Sequence, residues 1–138
     1  MPVNTVEQQL LVMSEAQIDA FPIGILRLDR RGNILSYNKA QAEFAHRTAA
    51  TTVGLNFFRD VAPCTAVKAF QGRFNEAINS PGGSIIERFK FEFRFEWGVK
   101  EVTIGMVVRR VSREGFNTQE SIYVVVYASP VQEKWRSG

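Results

Sequence analysis

The chain has 138 residues, enough for one domain with a real core and too few for two; 45% hydrophobic and 22% charged residues mark a folded globular chain. The net charge of +3 is scattered, with only Arg30-Arg31 and Arg109-Arg110 adjacent, so there is no basic stripe and nucleic acid is not an expected partner. One cysteine and one histidine exclude an internal disulfide and argue against a Cys- or His-based metal cluster and a Ser-His-Asp triad.

No apolar run reaches the roughly 18–20 residues of a membrane helix. The opening MPVNTVEQQL lacks the basic region and apolar core of a secretory signal, so no membrane is expected and a reducing cytoplasm is the expected compartment. Two short helices come first. Thr5 with Gln8 and Ser14 with Gln17 fit the capping box, and Val6, Leu10 and Met13 make one apolar face. That face must pack on the domain or on a second copy. Ile23 to Asp29 and Ile34 to Asn38 then read as a β-hairpin. Its turn, Arg30 to Asn33, holds Gly and Asn, which tolerate positive φ. Asn38 is placed to cap a short helix through Gln41 and Phe44.

The middle, Gly54 to Thr65, is loop-rich. A helix is predicted from about Ala66 to Asn79, with Phe70, Phe74, Ala77 and Ile78 on one face. It stops at Ser80-Pro81-Gly82-Gly83. Phe89, Phe91, Phe93, Phe95 and Trp97 alternate with charged residues, which predicts a strand with one buried and one wet face. Gly98 to Glu101 is the expected turn. Val102 to Val108 and Ser121 to Tyr127 are the expected last strands, separated by a long loop from about Arg110 to Glu120. The expected organisation is a helical cap (1–22), a core (23–128) and a loose tail (129–138). The order predicts an α+β domain: a five-stranded antiparallel sheet with helices on one face, cupped to hold a small ligand.

The stretch Gly-Leu-Asn-Phe-Phe-Arg-Asp-Val-Ala-Pro-Cys-Thr, Gly54 to Thr65, and the strand Asn33-Ile34-Leu35-Ser36-Tyr37-Asn38 carry a resemblance. Over about residues 10 to 127 the chain resembles the PAS superfamily and, within it, the photoactive yellow protein family. The resemblance implies a PAS fold with an N-terminal helical cap. It implies that Cys64 carries p-coumaric acid (4-hydroxycinnamic acid) as a covalent thioester. Tyr37 then matches the tyrosine that binds the chromophore phenolate, and Arg47 the arginine that shields the pocket. Phe57, Phe58, Val61 and Pro63 match residues around the chromophore loop. Three positions depart from the family: Gln41 stands for a buried glutamic acid, Ala45 for a threonine, and Trp97 for a methionine. An insertion around Ser112 to Glu120 and the tail are unmatched.

On residue chemistry alone, a lone cysteine is usually a small buried apolar residue. After Pro63 and before a helix N-terminus, Cys64 would instead be stabilised as thiolate or hold a thioester carbonyl on free N–H groups. Tyr37 is either core packing or a donor to a buried anion, with Gln41 four residues on as a second, neutral donor. Gln41 cannot supply the proton that the family's acid gives up. Arg47 is either a solvated charge or a pocket cap, and His46 is expected to be exposed. The Phe89-to-Trp97 alternation needs only a core to explain it, and Phe93 and Trp97 are placed among the pocket walls.

The leading expectation is a blue-light photoreceptor that signals by contact with another protein. Its partner is an unidentified signalling protein or a second copy, joined through the N-terminal helix or the sheet face. The alternative is a chromophore-free PAS interaction module. An acyl-accepting thiol protein ranks third, because no general base accompanies Cys64 and no enzyme activity is expected.

Overall fold

The computed structural model describes residues 5–111 and 119–128. Of the insertion expected around Ser112 to Glu120, residues 112–118 lie outside them, while Gln119 and Glu120 belong to a strand; the expected tail, 129–138, also lies outside.

Both N-terminal capping boxes form. Helix α1, Val6–Leu10, starts on Thr5, and helix α2, Glu15–Ala20, starts on Ser14. In each, the cap oxygen accepts from the N–H three residues on, and that glutamine returns a bond to the cap N–H. Strands β1, Gly24–Leu28, and β2, Ile34–Tyr37, make the hairpin. Within its turn Gly32 has positive φ and Asn33 does not. Helix α3, Lys39–Ala45, begins on Asn38 as expected, and a short helix α4, Ala49–Thr52, follows. The cysteine loop then makes a π-helical turn, Phe57–Val61, and a 3-10 turn, Pro63–Thr65. Helix α5 is Gln71–Ile78. Strands β3, Ile85–Phe95, β4, Gly98–Val111, and β5, Gln119–Tyr127, complete one antiparallel sheet in the order β2-β1-β5-β4-β3.

The sheet has two covered faces. On the inner one, Phe57, Phe58, Phe70, Phe74, Phe89 and Phe93 pack edge to face or tilted against each other and against the aliphatic strand residues. On the outer one, Leu10, Met13 and Ile18 of the cap cover Ile25, Val107, Tyr123 and Val125. The apolar stripe of the first helices therefore packs on this chain's own sheet. Double coverage explains why β5 is buried without a break from Ser121 to Val126, where one-sided burial would give alternation. The outer face of β3 stays wet, so its alternation is clear in the sequence: Phe89 and Phe93 are buried while Lys90, Glu92 and Arg94 are exposed.

Two predicted boundaries are corrected. The helix expected from Ala66 begins only at Gln71, because the chain from Pro63 to Phe70 spends its residues on turns that return the cysteine loop to the sheet. The β3–β4 connection is Glu96-Trp97 instead of Gly98 to Glu101, with Phe95 opposite Gly98. Trp97 is thus a turn residue, outside the strand it was expected to extend.

Candidate ligand-binding site

Asn38 is the local organiser. Its side chain is buried and its oxygen accepts from the N–H groups of Ile25 (2.9 Å) and Gln41 (3.0 Å). Its amide donates to the carbonyls of Ile18 (2.9 Å) and Ile23 (2.9 Å). One side chain therefore ties the cap, β1 and the first turn of α3. This sets Gln41 one turn above the end of β2, next to Tyr37.

The cysteine loop is anchored from the other side. Asn56 donates to the Arg31 carbonyl (2.8 Å) and accepts from the N–H groups of Phe58 and Arg59 (both 3.1 Å). The Phe57 N–H reaches the Gly32 carbonyl (2.8 Å). The loop is clamped to the β1–β2 turn, and its far end, Cys64, comes to lie beneath β3.

Between α3, this loop and the β3–β4 turn lies a cavity of about 470 Å³. That volume is in the range of small-molecule sites. All eight residues singled out in the sequence line it: Tyr37, Gln41, Arg47, Phe57, Pro63, Cys64, Phe93 and Trp97. Phe58, also named with the loop, turns into the core against Phe70 and Phe74.

Tyr37 is 3% exposed. Burial pushes its hydroxyl above the ordinary tyrosine value, against the opposing pull of a hydrogen bond with Gln41 and of the Arg47 charge. It is therefore a protonated donor at neutral pH. Gln41 is equally buried, and its Oε1 has no hydrogen-bond partner. A side chain on Gly24 would collide with that oxygen, so the amide is pressed against bare β1 backbone. Ala45, buried at the end of α3, has no polar side-chain group to offer Tyr37.

Cys64 is half-buried and lies within the single 3-10 turn. The expected helix N-terminus at this residue is absent, because α5 starts seven residues later, at Gln71. No helix dipole reaches the thiol. Among the described residues, however, no protein acceptor takes the Cys64 N–H, whereas Thr65 and Ala66 donate back to Ala62 and Pro63. A free donor therefore remains beside Sγ.

At the rim, His46 takes a left-handed conformation (φ 58°) and ends α3. His46 and Arg47 both line the cavity mouth. Arg47 lines the cavity, with its Nε donating to buried Thr52 Oγ1 (3.0 Å). His46 is exposed, as expected, but its ring stacks on Trp97 at 3.9 Å. Trp97 in turn stacks on Phe95 (4.8 Å) and donates to the Ala45 carbonyl (3.4 Å). The stacking of Trp97 on His46 and its bond to Ala45, 52 residues away, were not legible in the sequence. Among the described residues no group of three His, Cys, Asp or Glu could hold a metal, and no helix is long and apolar enough to cross a membrane.

Comparison with known proteins places this geometry. The PAS fold family matches residues 13–137. The chain is 36% identical to the photoactive yellow protein of Rhodothalassium salexigens over 75% of its own length and 81% of that protein. It is 34% identical to that of Halochromatium salexigens over the same shares. Among solved structures, the photoactive yellow protein domain of the sensor histidine kinase Ppr from Rhodospirillum centenum superposes with a TM-score of 0.68 at 32% identity, covering 83% of this chain and 92% of that one. A PAS domain of an HTR-like protein from Haloarcula marismortui shares the fold alone, at 15% identity and a TM-score of 0.59 over 81% and 85% of the two chains.

Proposed function

Given that the chain belongs to the PAS superfamily and, within it, to the photoactive yellow protein family, we propose that it is a blue-light sensor with a p-coumaroyl group held as a thioester on Cys64. The observation that carries this reading is the meeting of Cys64, Tyr37 and Gln41 on one cavity wall set. When bound, the group absorbs blue light and isomerises about its double bond.

The residues divide the work by position. Cys64 Sγ anchors the acyl end, and its free N–H takes the thioester carbonyl oxygen. The Tyr37 hydroxyl and the Gln41 amide face the phenolate end. Two donors keep such a buried anion ionised. Phe57, Pro63 and Phe93 exclude water along its length. Arg47 and Trp97 close the mouth.

Gln41 holds no proton to release. A phenolate held there would exchange its proton with solvent at the mouth, and Gln41 would leave no buried carboxylate behind. A signal leaves through protein contact at the cap.

One observation favours a second reading, a chromophore-free interaction module: Tyr37 draws on the neutral amide of Gln41, and Ala45 has no side-chain polar group to add.

Reconstitution separates the two. The purified chain and its Cys64→Ala variant are mixed with an activated ester of p-coumaric acid, and intact mass and visible spectrum are recorded. The expected result is a p-coumaroyl increment that needs Cys64, with a visible band that bleaches in light and recovers in the dark. No adduct, or an adduct without a shifted band, rejects the photoreceptor in favour of the interaction module. Passage of the bound acyl group to an added thiol would instead indicate an acyl-carrying protein.

A further inference from the structure

We propose that the free edge of β3 is a self-pairing surface, on which two copies of this chain join antiparallel with Phe93 on the two-fold axis. The proposal is independent of the ligand reading.

Strand β3 ends the sheet, with β4 on one side and, among the described residues, no strand on the other. Its register against β4 is regular from Phe89 to Phe95; the irregularity lies before it, between Ile86 and Phe89. The segment contains no proline. Alternate N–H and C=O groups along this edge thus have no neighbouring strand, which is the template for strand addition.

Charge selects the partner. The wet face of the edge carries Lys90, Glu92 and Arg94, all exposed. In an antiparallel pair centred on Phe93, residues equally far on either side of it meet. Glu92 then faces Arg94 of the other copy, a contact that occurs twice by symmetry. On the opposite face Phe91 meets Phe95, and Phe93 meets itself.

Neighbouring registers fail. Centring on Glu92 sets it against itself and Lys90 against Arg94. Centring on Arg94 sets it against itself, and centring on Phe91 sets Arg88 against Arg94. A parallel in-register pair stacks like on like. A strand that merely guards its edge needs charge of any sign, whereas in this one the Phe93 register brings opposite charges together without a like-charge pair. Lys90 and Glu96 have no ion-pair partner among the described residues, and Glu92 and Arg94 have only each other, at 3.0 Å on one exposed face. The competing surface, the outer face of β1, β5 and β4, is already covered by the cap.

The test uses the full chain and two charge reversals, Glu92→Lys and Arg94→Glu, followed by sedimentation velocity over a concentration series at low and high salt. Both residues are exposed, and circular dichroism checks that each variant is folded. Wild type is expected to dimerise, less at high salt. Each variant alone sets two like-charge pairs across the axis and is expected to dimerise about tenfold more weakly or worse. Mixed together they form a complementary heterodimer, in which Lys at 92 meets Glu at 94 and Arg94 meets Glu92, so mixing is expected to restore association. Loss of the intrachain Glu92–Arg94 pair cannot explain such a rescue. A wild type that is monomeric throughout, variants that dimerise as wild type does, or a mixture without recovery would each overturn the proposal.

Discussion

Glu7 of α1 and Arg88 of β3, 81 residues apart, clasp the cap to the sheet: Arg88 Nε donates to Glu7 Oε2 at 2.7 Å and Arg88 Nη2 to Glu7 Oε1 at 2.9 Å. The Tyr127 hydroxyl adds a third bond to Glu7 Oε1 at 2.7 Å. The Arg88 guanidinium lies over the Tyr127 ring, 4.4 Å from its centre. The Glu7 side chain is 3% exposed and that of Arg88 46%. The carboxylate is therefore buried and fully bonded, while the arginine keeps contact with water.

Glu7→Gln removes the charge and keeps the shape. Because Arg88 can rehydrate, the cost is smaller than for a fully buried pair, about 1–3 kcal/mol. Urea denaturation measures it. Amide exchange should accelerate in α1 and α2 before the core, since the clasp holds the cap and not the inner face.

Acid should act through the same carboxylate. Burial alone would raise the Glu7 pKa, but the hydrogen bonds from Arg88 and Tyr127 and the Arg88 charge outweigh it and hold it below 4.5. A depressed carboxyl contributes stability that is present above its unfolded value and is lost as pH falls through the folded one. Melting temperature should thus decline below about pH 4.5. Glu7→Gln should flatten that decline in part. Glu120, held down by its hydrogen bond from Arg30 and then by Arg110, and Asp60, held down by its bond from Arg59, contribute to the rest.

Gly105 of β4 makes room for the clasp. A Cβ there would lie 2.5 Å from Glu7 Oε2 and 3.1 Å from its Cδ. Gly105→Ala should displace the carboxylate and loosen the cap as Glu7→Gln does. Combined, the two changes should cost less than their sum, because they break one contact.

Asn38→Ala deletes the cap of α3 and strands the Ile25 N–H in the interior. The expected loss is about 2–4 kcal/mol, read from chemical denaturation.

In the reconstituted protein, Tyr37→Phe removes one of the two donors assigned to the phenolate. The phenol pKa of the adduct should rise by about one unit or more, seen as a shifted midpoint when the visible band is titrated.

The parts legible in the sequence are those governed by near neighbours. Thr5, Ser14 and Asn38 announce helix starts because a cap and its N–H lie within one turn. Phe89 to Phe95 announce a strand because burial alternates with the pleat, and the wet side of β3 left that alternation intact. The Gly54 to Thr65 loop was legible through likeness to a family, since its turns follow no period.

What only the tertiary structure decided are the meetings between distant residues. The start of α5 moved to Gln71 because the preceding turns serve the cysteine loop's attachment to Asn33 and Gly32. Trp97 left its strand for a turn in which it stacks on His46. Glu7, a surface-type residue at a helix start, was buried because Arg88, Tyr127 and the bare backbone of Gly105 converge on it from three strands. Local hydrogen-bond geometry and hydrophobic period are written in consecutive residues. A buried charge is set by which partners the sheet order brings within 3 Å or so, and that order is a property of the folded chain.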